Sequence, residues 1–152
     1  MSSARQQGFI EAPVEVIWRL LTDVERHPRW WPRVLEVECD GLEAGCTYRQ
    51  VTQTPIGKDE MELLVDRLDE YKNLSIQCIN SGTFVRMQLA PAQDGTFIEG
   101  EMGMEPKRFS ARVIDTLGGK RFFNAWLRET FDALAREAQA DARPSPGQSA
   151  IT

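Results

Sequence analysis

Histidine is nearly absent: His27 is the only one in 152 residues. A metal site built on histidines is therefore excluded, and any Ser-His-Asp or Cys-His relay has to pass through that one side chain. His27 stands beside Pro28 in what reads as a surface turn, where a solvated or capping role is expected of it. Cysteine is scarce too. Cys39, Cys46 and Cys78 are odd in number and show no CxxC spacing, which speaks against both a zinc site and a disulfide framework. Reduced, partly buried thiols are expected, even for Cys39 and Cys46, which a hairpin can make neighbours. Neither metal nor cofactor is expected. There is no GxGxxG and no GxxxxGK[ST], so no nucleotide-binding motif. The formal net charge is −5 and no basic run stands out, so nucleic acid is not an expected partner. No apolar run approaches the length of a membrane span. The opening MSSARQQ is polar with no apolar run behind it, so a cytoplasmic protein without a secretory signal is expected.

What is present is an ordinary globular balance, 41% hydrophobic and 27% charged residues, enough for one domain with its own core. That domain is expected over 1–140. The stretch 141–152, polar and holding Pro144 and Pro146, is expected to be a disordered tail.

The best-marked element is 119–140, GKRFFNAWLRETFDALAREAQA. Phe123, Trp126, Leu127, Phe131, Leu134 and Ala138 recur at steps of three and four and share one stripe, while Arg121, Asn124, Arg128, Glu129, Asp132 and Arg136 take the other side. Three aromatics on one stripe need a wide apolar surface to cover them.

Ahead of it the pattern changes to period two. Strands are expected at Arg5–Glu11, Val34–Asp40, Thr47–Thr54, Glu60–Asp69, Leu74–Cys78, around Val85–Leu89 and around Ile98–Met104, with turns at Gly41–Gly45, Asn80-Ser81-Gly82 and Pro91–Gly95. Met61, Leu63 and Val65 alternate with Glu60, Glu62 and Asp66. Alternation with one apolar face describes an antiparallel sheet that is wet on one side only. Two short helical stretches follow the first strand, one opened by Ala12-Pro13 and one over Val24–Arg29. Pro106–Leu117 reads as a further helix, and Gly118-Gly119 as a break after it. The long C-terminal helix is left to cover the apolar sheet face.

The stretch Phe9-Ile10-Glu11-Ala12-Pro13, Val16-Ile17-Trp18, Leu21-Thr22-Asp23 and His27-Pro28-Arg29-Trp30-Trp31-Pro32-Arg33-Val34, with Asp94-Gly95-Thr96 before the last strand, resembles the START-like (SRPBCC) superfamily, in particular its polyketide cyclase/dehydrase and lipid-transport branch. The resemblance spans roughly Gly8 to Ala138. It implies an α+β helix-grip fold: a seven-stranded curved antiparallel sheet wrapped around the C-terminal helix, two short helices after the first strand, and a cavity between sheet and helix. It implies no shared catalytic residue, since members include carriers of apolar ligands, aromatase/cyclases and hormone receptors.

Three functions stay open on the sequence: binding or carriage of a small apolar or amphipathic molecule in that cavity, a cyclase or dehydratase using the same cavity, and an interaction module with a filled core. Strand parity and the helical stripe put Met61, Leu63, Val85, Met87, Met102, Phe109, Phe122 and Trp126 forward as the cavity wall. Flexible methionines suit a wall that adapts to its occupant. Tyr48, Arg49, Gln50 and Thr52 lie on a strand whose inward face the alternation leaves undecided. The carboxylates Glu60, Glu62, Asp66, Glu99 and Glu101 are expected on the solvated outer face.

Overall fold

The computed structural model describes residues 2–105 and 118–142. The expected helix over 106–117, with the candidate wall residue Phe109, and the chain beyond 142 lie outside the described residues.

In chain order the elements are β1 (Ser2–Ile10), α1 (Val14–Thr22), a single 3-10 turn (Val24–Arg26), α2 (His27–Trp30), β2 (Val34–Glu38), β3 (Thr47–Thr54), β4 (Gly57–Asp69), β5 (Asn73–Cys78), β6 (Thr83–Ala92), β7 (Gly95–Met104) and α3 (Gly119–Ala142). The seven strands form one sheet in the order β1-β7-β6-β5-β4-β3-β2, and every neighbouring pair is antiparallel. Strands β2 to β7 are a meander. Strand β1 pairs with β7 at the far edge, so α1 and α2 carry the chain from one edge of the sheet to the other.

The period-two pattern is realised residue by residue. Met61, Leu63 and Val65 are buried, and Glu60, Glu62 and Asp66 are exposed. A register shift between Val65 and Arg67 then changes the parity and brings Leu68 opposite Leu74. Outside, Arg49 reaches Glu36, Glu38 and Glu60, and Arg5 and Arg86 both reach Glu101. Such exposed pairs stabilise little, because water and salt screen them.

The β6–β7 hairpin is tighter than its Pro-Ala-Gln-Asp-Gly sequence suggests. Pairing continues through Pro91↔Thr96 and Ala92↔Gly95, leaving only Gln93-Asp94 as the loop. Proline is tolerated there because β5 pairs with β6 only as far as Asn73↔Gln88. The amide of Leu89 still finds Lys72 O at 2.8 Å, but two residues on no strand lies beside the missing N–H.

Helix α3 packs on β1, β7 and α1. Phe123, Leu127, Leu134 and Ala138 are fully buried. Half-buried Phe131 lies over two glycines of the sheet: a Cβ at Gly8 would come within 3.3 Å of its ring, and one at Gly100 within 2.8 Å. Gly118 has φ 103°, a left-handed conformation, so the helix starts at Gly119 and does not run through the glycine pair. At its other end α3 runs two residues past the expected limit at 140, to Ala142, and Asp141 meets Arg26 at 3.6 Å.

Candidate functional site

The segment Trp30–Arg33 closes the space between α3 and the strands β2 to β4. Pro28 and Pro32 keep α2 to a single short turn. Arg33 takes φ 70°, an uncommon conformation for a residue with a side chain, and three contacts hold the segment to α3. Trp126 Nε1 donates to Pro32 O at 2.7 Å. The Arg33 guanidinium sits 5.0 Å from the Phe122 ring centre, and its Nη2 donates to Glu129 at 3.4 Å. Replacing Trp126 by phenylalanine removes the donor together with the pyrrole part of the buried indole. Trp126→Phe is expected to lower stability in urea unfolding by at least about 1 kcal/mol, the lost hydrogen bond adding to the lost packing; a change within error means that neither is made in solution.

Behind this segment is a cavity of about 40 Å³, with Met61 and Leu63 of β4, Val85 of β6, Met102 of β7 and Trp126 of α3 around it. Those five of the eight residues put forward on sequence come together. Two others lie elsewhere. Met87 is fully buried, but it stands two residues further along β6, at Gly100, where Phe131 closes the gap between helix and sheet. Phe122 is turned toward Phe123, Trp126 and Arg33 and is not part of the cavity wall. Phe109 is outside the described residues.

The rest of the lining comes from residues that sequence reasoning did not name as the wall, although Tyr48 and Gln50 lie on the strand whose inward face it left open. Val34, Ile76 and Phe84 add apolar surface; Trp31, His27, Tyr48, Gln50 and Thr83 add polar groups. Strand β3 turns Tyr48, Gln50, Thr52 and Thr54 inward and leaves Arg49 on the outer face, paired with carboxylates.

His27 is not in a solvated turn. It is 1% exposed, with its ring centre 4.6 Å from that of Trp31 and 5.6 Å from that of Trp30, which are themselves stacked at 5.2 Å. Its Nε2 donates to Leu21 O at 2.9 Å. Pro28 follows it in a helical turn that packs inward, which is why proximity to proline misleads here. Burial lowers its pKa from 6.5 to about 4, and the backbone carbonyls of Leu21 and Leu20 offset that only in part. His27 is therefore a neutral imidazole at pH 7.

The other polar groups are neutral as well. Burial pushes the Tyr48 hydroxyl well above its ordinary range, so it keeps its proton. Gln50 Nε2 donates to Thr52 Oγ1 at 2.9 Å, and Thr52 Oγ1 points at Met61 Sδ at 3.4 Å. The indole N–H groups of Trp30 and Trp31 are buried with no hydrogen-bond partner. Among the described lining residues there is no Asp, Glu, Lys or Arg. Nor do the described residues gather three His, Cys, Asp or Glu side chains around a point that suits a metal ion. Cys39, Cys46 and Cys78 are free thiols. Among the described residues no helix is long and apolar enough to cross a membrane.

The fold has many solved counterparts. A START superfamily protein from Mycobacterium smegmatis superposes with a TM-score of 0.75 at 15% identity, covering 92% of this chain and 99% of its own. A protein from Arthrobacter aurescens gives 0.68 at 16% identity, covering 94% and 87%. An AHSA1-like protein from Aeromonas hydrophila gives 0.63 at 17% identity, covering 91% and 93%. At such identities the likeness speaks for the fold alone. No curated protein matches the sequence. The family model described as polyketide cyclase / dehydrase and lipid transport matches residues 1–139, nearly all of the strand, helix and cavity framework just described. With that match over nearly its whole length, the chain belongs to the polyketide cyclase/dehydrase and lipid-transport family, and its helix-grip fold is similar to that of the START superfamily protein.

Proposed function

We propose that the protein binds a small apolar molecule in the cavity between the sheet and α3. The observation that carries this reading is a void walled by Met61, Leu63, Ile76, Val85 and Met102 and roofed by Trp31 and Trp126. General acid or base catalysis by a carboxyl group needs one turned inward, and none is among the described lining residues, so carriage is favoured over a cyclase or dehydratase. The compartment that fits this role is the cytoplasm, and the acidic balance of the chain offers nothing to nucleic acid.

The volume sets the scale of the occupant. About 40 Å³ takes a few water molecules, whereas pockets for drug-sized ligands run to about 300–1,000 Å³. A ligand the size of one ring enters only as the thioether chains of Met61 and Met102 swing aside, and methionine does that at low cost. The test is native mass spectrometry of freshly purified protein, together with titration of the neutral dye N-phenyl-1-naphthylamine. Met102→Ala removes part of the wall and is expected to bind the dye more tightly than the parent protein. Absence of any co-purified molecule, with no dye binding to either protein, leaves the filled-core interaction module as the surviving reading.

A further inference from the structure

The described lining of the cavity includes polar groups but no formal charge. The described residues around it include no acidic or basic side chain other than His27, and burial holds His27 neutral at pH 7. Arg33, next to the lining residue Val34, is not among the described lining residues: its guanidinium lies over Phe122, its Nη2 pairs with Glu129, and its Nε is buried without a partner. An ionised carboxylate entering this space leaves water and meets no cation among the described lining residues, which is strongly unfavourable.

A neutral oxygen is in a different position. Trp31, whose ring lines the cavity, carries a buried indole N–H with no partner. Leaving such a donor unpaired is itself unfavourable, and indole nitrogen can only donate. It therefore calls for an acceptor. Gln50, with its amide nitrogen engaged by Thr52, and the protonated hydroxyl of Tyr48 add further neutral hydrogen-bonding groups.

We propose that the cavity selects a neutral apolar molecule bearing an acceptor oxygen, such as a ketone or an ester, over the carboxylate of the same skeleton, with the Trp31 N–H as the donor. The proposal rests on the reading that the cavity binds an apolar ligand, and it excludes free fatty or aromatic acids from being the preferred occupant.

Four single-ring probes test it on the full chain by calorimetry near pH 7.5: ethylbenzene, acetophenone, methyl benzoate and benzoate. Methyl benzoate is expected to bind at least about tenfold more tightly than benzoate. Acetophenone is expected to bind about fivefold more tightly than ethylbenzene, the worth of one hydrogen bond. Trp31→Phe, with folding checked by its unfolding transition, is expected to remove the advantage of the ketone and leave ethylbenzene binding in place. Benzoate binding as tightly as methyl benzoate overturns the selection for neutral ligands while leaving apolar binding intact. A ketone no better than ethylbenzene, or an advantage that survives Trp31→Phe, overturns the role of the indole. Binding by none of the four sinks this proposal and the apolar-ligand reading together.

Discussion

Leu127→Ala is expected to destabilise the protein by ~2–5 kcal/mol, and Leu134→Ala by a similar amount. Both side chains are wholly buried on the face of α3 that meets the sheet. Removing three carbons from either forfeits their transfer out of water and leaves a void that β1, β7 and α1 fill only in part. The strands are held in their ladders, and Phe131 already lies on Gly8 and Gly100, so the helix has little freedom to settle closer. Urea unfolding measures the effect: the midpoint should fall with the slope unchanged, since the area exposed on unfolding is nearly the same. Leu127→Met, which conserves volume, should cost less than about 1.5 kcal/mol. A loss below half a kilocalorie per mole, on the order of a surface substitution, means that α3 does not cover the sheet in solution.

That helix was the most legible part of the chain. Its aromatic and leucine stripe repeats with a single period over about four turns, and nothing else in the sequence is long enough to cover an apolar sheet. The strands β4 to β7 were legible for a similar reason, because alternation carries its own statement of which residue faces in. Strand β3 resisted. Its residues Tyr48 to Thr54 are polar on both faces, so hydropathy has no contrast to report. The information was present in another form. The β3–β4 hairpin closes with Thr54 opposite Gly57, which puts Tyr48 opposite Leu63 and Gln50 opposite Met61. Residues directly opposite in an antiparallel pair share a face. Once β4 is known to turn Met61 and Leu63 inward, β3 must turn Tyr48 and Gln50 inward with them.

The wall residues divide along the same line. Parity says which face a residue takes, not how far along the strand the cavity extends. Val85 and Met87 share a face, yet only Val85 reaches the void, because Phe131 descends onto Gly100 at the level of Met87. Locating that boundary needs the tilt of α3 across the sheet, which is a property of packing between distant segments. His27 and Trp31 were hidden more deeply. A histidine between a short 3-10 turn and a proline looks like surface in sequence. It is interior here because α2 carries the two tryptophans inward and the imidazole is packed against both.

The buried imidazole makes the stability of the fold depend on pH in a window of its own. In the unfolded chain His27 takes up a proton near pH 6.5; in the folded protein it does so only at about 4. Between those values the unfolded state holds one more proton than the native state, so stability rises with pH there. The contribution is complete above pH 6.5, is lost as pH falls toward 4, and does not decline further below that. The full span is worth about 3 kcal/mol, of which about 2 kcal/mol should disappear between pH 7.5 and pH 5. Carboxylates also titrate at the acid end, so the variant His27→Gln supplies the reference. Its amide can still donate to Leu21 O, it has no proton to gain, and every carboxylate contribution is shared with the parent and cancels in the difference. Urea unfolding of both proteins at steps from pH 7.5 to pH 5 should therefore show the parent losing stability relative to the variant, whatever the variant loses in packing at neutral pH. Parallel curves across that range would place His27 in water in the folded protein. The neutral wall on which the choice of an uncharged ligand depends would then be lost as well, because an accessible imidazole at the cavity offers a cation below pH 6.5, and a carboxylate ligand would have its partner.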